Sequence, residues 1–267
     1  KLGKYDLVYL EDRFGSAQLP EVFCADIRKE RKQNSMQSHF STFLIDNIRE
    51  VLNIGEQVIL FQNRRGYTPM WMCEICNWTP KCVNCDVSLT YHKQTNNLKC
   101  HYCSYNTKPI GTCNACGSNR LKMLGFGTEK IEDELSVMFP DKVVKRLDLD
   151  TTRSKNAYAN ILNDFDSGHI DILIGTQMVT KGLDFDNVNL VGILDADMLL
   201  NRANFRAFER SFQLMTQVAG RAGRRDKRGK VIIQTGDPDH WVIKKVIDHD
   251  YIGFYENEII ERSNYFY

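Results

Sequence analysis

The sequence contains no long hydrophobic run. No stretch approaches the ~18–20 continuous apolar residues that cross a bilayer, so a membrane-spanning helix is excluded. The first residues, Lys1-Leu2-Gly3-Lys4-Tyr5-Asp6, have neither the apolar core nor the small-residue cleavage site of a secretory signal, and a cytoplasmic location is expected. An initiator methionine is also missing, which reads as a piece of a longer chain. Proline is scarce at six residues and the 17 glycines are ordinary, so no large disordered tract is expected. A phosphate loop of the GxxxxGK[ST] kind is absent. Gly125-Phe126-Gly127 opens a dinucleotide fingerprint whose third glycine is missing. Val191-Gly192-Ile193-Leu194-Asp195 resembles the strand and aspartate that hold magnesium in ATPases. Without a phosphate loop it reads better as a buried strand ending in a polar turn.

Excess charge of one sign is lacking too, since the net charge is only +1. Its distribution is uneven. Between Arg64 and Lys122 there are eight basic residues against two acids, a local excess that suits either a phosphate backbone or a solvated face.

Cysteine is what the sequence has in a pattern. Eight of its nine cysteines form four CxxC pairs: Cys73/Cys76, Cys82/Cys85, Cys100/Cys103 and Cys113/Cys116. A CxxC turn aims two sulfurs at one point, and two such turns complete the four-thiolate tetrahedron that zinc favours. Four pairs therefore supply two structural zinc sites, closed to substrate and contributing on the order of 10 kcal/mol each to folding. A disulfide framework lacks the secreted context it needs, and redox CxxC motifs normally occur singly. Between the middle pairs, Val87 to Tyr91 and Leu98-Lys99 read as two short strands around an Asn-rich turn, the hairpin of a zinc ribbon. That hairpin favours nested pairing, with Cys82, Cys85, Cys100 and Cys103 at one site and Cys73, Cys76, Cys113 and Cys116 at the other. Sequential pairing stays open. Trp71, Trp78, Tyr91, His92, Tyr102 and Tyr105 lie among the module's lysines, where they either stack on bases or fill a small core. Cys24, within Val22-Phe23-Cys24-Ala25, reads as a buried, inert thiol.

Around the module, apolar runs alternate with helical spacing. Strands are expected at 56–61, 143–147, 171–175, 188–194 and 230–235, and helices at 129–139, 156–165, 205–218, 240–249 and 251–261. Thr128 is placed to cap the first of these helices. Strands apolar on both faces that alternate with helices predict an α/β fold, a parallel sheet covered by helices. Arg28 to Lys32 reads as a charged connector.

Six segments together resemble the PriA family of primosomal replication-restart helicases. They are Leu60 to Tyr67 (LFQNRRGY), Gly125 to Glu129 (GFGTE), Asp148 to Arg153 (DLDTTR), Ile174 to Asp184 (IGTQMVTKGLD), Asn204 to Arg210 (NFRAFER) and Gln217 to Arg224 (QVAGRAGR). The last alone indicates only a superfamily 2 motor, and the eight-cysteine insertion narrows it. The resemblance implies a RecA-like helicase lobe with an inserted zinc-ribbon-like module. On that reading residues 1–28 end a first lobe and connector, 29–72 and 117–249 form the second lobe, 73–116 the module, and 250–267 a helix leading to a further domain. It implies a DNA-dependent ATPase unwinding in the 3′→5′ direction, with ATP and magnesium bound in the intact protein. The implied partners are forked or single-stranded DNA, primosome proteins and single-stranded DNA-binding protein. A segment without the phosphate-loop lobe is expected to be inactive alone.

The same resemblance implies residue roles. Arg221 and Arg224, three apart and on one face if helical, approach the γ-phosphate with Arg224 as the arginine finger, and Gln217 lines the same cleft. Gly182 and Asp184 form a nucleotide-sensing turn. Thr176, Gln177 and Lys181 face the DNA backbone, while Arg64 and Arg65 hold either that backbone or the lobe interface. A non-catalytic zinc module docking DNA or primosome proteins on an α/β scaffold is the competing reading. Another zinc-bearing superfamily 2 translocase is a third.

Overall fold

Short apolar runs set the architecture. The structure, a computed structural model, describes residues 18–62, 70–85, 87–92, 96–100, 102–124, 128–148, 151–152, 156–180, 185–201, 204–223 and 228–264. In chain order these form β1 (Glu21–Asp26), α1 (Ile27–Gln33), α2 (Thr42–Asn53), β2 (Gln57–Phe61), β3 (Met70–Cys73), β4 (Thr90–His92), β5 (Asn97–Lys99), β6 (Asn106–Thr107) and β7 (Leu121–Leu124). There follow α3 (Thr128–Met138), β8 (Val144–Leu147), α4 (Ala157–Asp166), β9 (Ile172–Gly175), a 3₁₀ turn (Gln177–Thr180), β10 (Val188–Ile193) and α5 (Ala196–Leu200). The chain closes with α6 (Ala207–Ala219), β11 (Lys230–Thr235), α7 (Trp241–Ile247) and α8 (Tyr251–Asn264).

Six strands make one parallel sheet in the order β1-β11-β10-β2-β9-β8. Every residue of β2 and β9 is buried, because helices cover both faces. On one face Ile59, Phe61, Val191 and Ile233 meet Phe165 of α4, Met215 of α6 and Ile243 of α7. On the other, Val58, Leu60, Ile172 and Ile174 meet Ile45 and Ile48 of α2 and Ile131 and Leu135 of α3. The expected α/β parallel sheet is what the structure shows.

Several expectations change. Glu21–Asp26 is not left outside the lobe, because β1 lies in register along β11, from Glu21 beside Lys230 to Asp26 beside Thr235. The stretch expected as a connector is helical, with Asp26 capping α1 by accepting from Lys29 N at 3.0 Å. Helix α2 is not among the expected elements. It buries Leu44, Ile45, Ile48, Val51 and Leu52 on one face, and Ser41 caps it. Thr128 lies inside α3 and its hydroxyl donates 2.6 Å to Asp148 Oδ2, so it ties α3 to the end of β8 rather than capping.

The inserted module has its own antiparallel sheet in the order β6-β5-β4-β3-β7. It extends beyond the expected 73–116, because β3 and β7 pair from Met70 beside Leu124 to Cys73 beside Leu121. The chain thus leaves and re-enters the lobe on adjacent strands.

Gly175 closes the large sheet at β9, where a Cβ would sit 1.9 Å from Cγ1 of the buried Val179. The 3₁₀ turn folds directly back on the strand. Gly175→Ala is therefore expected to destabilise the chain by about 1–3 kcal/mol, seen as a lower urea midpoint. An unchanged midpoint would show that Val179 yields freely.

Candidate functional site

Each CxxC pair is built as a knuckle. Cys73 N donates to Trp78 O at 2.9 Å, Cys82 N to Val87 O at 2.7 Å, Cys100 N to Tyr105 O at 2.8 Å and Cys113 N to Ser118 O at 2.8 Å. In three of them the residue after the second cysteine turns left-handed: Asn77 at φ 58°, Ser104 at 61° and Gly117 at 72°. Its N–H then donates back to the first cysteine's carbonyl. The repeated bonds hold both sulfurs of a pair on one side.

The knuckles join in the nested arrangement. Cys73, Cys76, Cys113 and Cys116 form one group and Cys82, Cys85, Cys100 and Cys103 the other, with all sulfurs of a group within 4.8 Å of one another. Sγ–Sγ distances are 3.6 Å for Cys73–Cys116 and Cys76–Cys113, and 3.5 Å for Cys82–Cys103. A zinc–sulfur length of ~2.3 Å in a tetrahedron requires sulfurs ~3.8 Å apart, so both groups fit that ion. The chain carries two four-cysteine zinc-binding sites. Burial pushes the Cys85 thiol up to about 12. On the exposed rim, the Tyr105 N–H and then the Asn84 amide hold Cys103 down to about 6.

The two sites meet the lobe differently. The first is seated on the carboxyl ends of β10 and β11 through Asn77. Arg31 of α1 donates to Asn77 Oδ1 and, at 3.1 Å, to Glu74 O. Asn77 Nδ2 donates 2.7 Å to Asp197 Oδ2, and Asp197 also accepts from Thr235 Oγ1 and Gly236 N, both at 2.7 Å. Asn77 and Asp197 are buried. A Cβ on Gly236 would lie 2.5 Å from Cys76 O, so the knuckle backbone rests on that glycine. The second site touches the lobe at its surface, where Phe205 N donates 3.2 Å to Tyr102 Oη and Lys81 lies 5.7 Å from the Phe208 ring centroid.

Most of the module's aromatics pack inward. Trp71 donates to Ile110 O at 2.9 Å and lies 5.0 Å from Tyr91, Tyr105 joins the same cluster, and Trp78 packs at the first site. Tyr102 is 42% exposed, edge-on to Phe205. The His92 side chain lies outside the described residues.

The residues to which the resemblance gave motor roles are divided between the two ends of the sheet. Thr176 is buried just beyond β9 at the carboxyl end of the sheet. Gln177 is half-buried beside it. Gln217 is exposed on the last turn of α6. Arg221 is not on that helix, which stops at Ala219 with Gly220 as its cap, but in the turn beyond. Gly223 N donates 3.0 Å to Val188 O and pins this turn to the amino end of β10. Arg64, Arg65, Lys181, Gly182, Asp184 and Arg224 lie outside the described residues. Asp195 caps α5 by accepting from Met198 N at 3.4 Å, as a polar turn requires. Cys24 is half-buried, and burial, with Asp197 nearby, pushes its thiol up to about 12. The Asn77 junction was missed in the sequence, where its one signal is an asparagine at the left-handed knuckle position.

Residues 82–108 match the family model of the PriA DNA helicase Cys-rich region, and residues 119–226 that of the helicase conserved C-terminal domain. Replication restart protein PriA of Bacillus subtilis is 44% identical over 265 residues, covering 99% of this chain and 33% of that protein. The Synechocystis protein of the same name is 45% identical over 261 residues, covering 96% and 31%. The chain thus spans about a third of the length of these relatives. Among solved structures, S. cerevisiae Dbp5 bound to RNA and ADP BeF3 is a loose neighbour, at 14% identity and TM-score 0.44 over 92% of this chain and 45% of that one.

Two expectations can be measured. Asn77→Gly keeps the left-handed turn but strips Asp197 and Arg31 of a partner, and is expected to cost about 1–3 kcal/mol in urea unfolding with zinc content unchanged. Unaltered stability would remove the junction's importance. Zinc binding displaces thiol protons, so metal affinity falls as pH falls. Elemental analysis across an acid titration should show two ions per chain lost together with the module's fold, matching the two sulfur groups. Full retention of structure without metal would contradict this.

Proposed function

We propose that this chain, which belongs to the PriA family of replication restart proteins, is the second RecA-like motor lobe of an ATP-dependent 3′→5′ DNA helicase. In the intact protein it serves the restart of stalled forks and the assembly of the primosome on forked or single-stranded DNA, with single-stranded DNA-binding protein nearby. The cytoplasm suits this role, because thiols stay reduced there and available to zinc. No described helix is long and apolar enough to cross a membrane.

One bond carries the motor reading. The crossover from β9 to β10 begins at Thr176, at the carboxyl end of the sheet, and ends at Val188, at the amino end. The Gly223 N–H bonds to Val188 O, so the arginine-bearing turn is fastened to the far end of that segment. Thr176, Gln177 and Lys181 are assigned to the DNA backbone, and Arg64 and Arg65 to that backbone or to the lobe interface. Gly182 and Asp184 face nucleotide. Arg221 and Arg224 bring positive charge to the γ-phosphate as negative charge builds there, with Gln217 lining the cleft. A shift at either ligand then moves one short crossover that both share. The eight cysteines hold two structural zinc ions and take no part in hydrolysis. The phosphate loop and the magnesium acid belong to the first lobe, so the chain alone is expected to be inactive.

Arg224→Ala in the intact protein is expected to slow DNA-stimulated ATP hydrolysis by ~10³-fold or more while DNA binding persists. Normal turnover in that variant would sink the assignment.

A further inference from the structure

Of the eight cysteines in the two sulfur groups, Cys103 is exposed while the others are buried or half-buried. Its sulfur lies 3.5 Å from that of the buried Cys82. Exposed Asn84 spans this pair, with its backbone N–H donating to Cys82 Sγ at 3.4 Å and its amide to Cys103 Sγ at 3.6 Å. A small reactant from solvent therefore meets one member of a close sulfur pair whose other member is sheltered. The first group offers no such entry. Cys73, Cys76 and Cys113 are buried, Cys116 is half-buried, and Trp78 and Leu121 pack against them.

The same two cysteines stand next to the residues through which the outer site meets the lobe. Lys81, beside Cys82, lies 5.7 Å from the Phe208 ring centroid. Tyr102, beside Cys103, accepts from Phe205 N at 3.2 Å. Both contacts fall at the start of α6. A bond between the two sulfurs draws both neighbours toward each other and strains both contacts at once.

We propose that Cys103 is a peroxide-reactive site, and that its oxidation to a disulfide with Cys82 releases the outer zinc ion and frees the hairpin from α6 while the first site persists. The Cys103 thiolate attacks one peroxide oxygen, so an S–O bond forms, the O–O bond breaks and hydroxide leaves. The Cys82 thiolate then attacks that sulfur, so an S–S bond forms, the S–O bond breaks and a second hydroxide leaves. Two protons from solvent turn both hydroxides into water, and two electrons have passed from the thiolates to the peroxide. Cys85 and Cys100 remain as ligands, half the set that a closed zinc site requires. The inference rests on the zinc sites alone and stands whether or not the lobe is a motor.

The test treats the full zinc-loaded chain with hydrogen peroxide beside a chromophoric zinc chelator, then maps its cysteines by alkylation and mass spectrometry. Peroxide is expected to release one of the two ions, with a Cys82–Cys103 disulfide formed and Cys73, Cys76, Cys113 and Cys116 still reduced. The Phe205 and Phe208 amide resonances should shift in step with that release, and dithiothreitol with added zinc should reverse both. Cys103→His keeps a four-ligand set of three cysteines and one histidine, and should hold both ions against peroxide. If that variant fails to bind its second ion, the mapping of the unsubstituted chain decides alone. Release of both ions together, oxidation that begins in the first group, Cys103 recovered as a free thiol after release, or α6 resonances that stay in place each overturn the proposal.

Discussion

A four-thiolate zinc site cannot be made from one knuckle, and that constraint shapes this chain. Each site must draw its second pair of sulfurs from a distant point, and the nested choice brings Cys73/Cys76 to Cys113/Cys116. With those pairs together, β3 and β7 are forced side by side, and the insertion closes on itself where it leaves the lobe. The large sheet can then keep β2 at its centre, between β10 and β9, undisturbed by the insertion on its carboxyl side. The first site also presents Asn77 to Asp197, so the tetrahedron that closes the module fixes its seat on the lobe.

The two sites differ as a result. The first has three of its cysteines buried and is bonded to α1, α5 and the end of β11. The second has Cys103 exposed and rests on the lobe through Tyr102 and Lys81. One zinc-binding site is therefore integral to the lobe's end, and the other organises an outlying hairpin.

Local pattern made much of this legible. The CxxC spacing and the hairpin between its middle pairs pointed to the nesting, and strands such as Lys230–Thr235 stand where their apolar runs predict. Helix α2 carries an equally local signature, in Ser41 and the period of Leu44, Ile48 and Val51. What sequence could not disclose is non-local. The place of Glu21–Asp26 beside β11 depends on a partner some 200 residues away. The ends of the module depend on β3 finding β7. The turn at Arg221 is fixed by a bond from Gly223 to the distant Val188, which no local pattern discloses.

The position of β2 has a consequence for synthesis. Both neighbours of this strand, β9 and β10, are encoded more than a hundred residues after it. As the chain emerges from the ribosome, β2 must wait unpaired while the zinc module, whose pairings all lie within some fifty residues, completes itself. Low contact order and a metal that rewards local closure make the module the first cooperative unit. The lobe then assembles around a folded insertion, and metal starvation during translation would leave an exposed apolar strand beside a disordered loop.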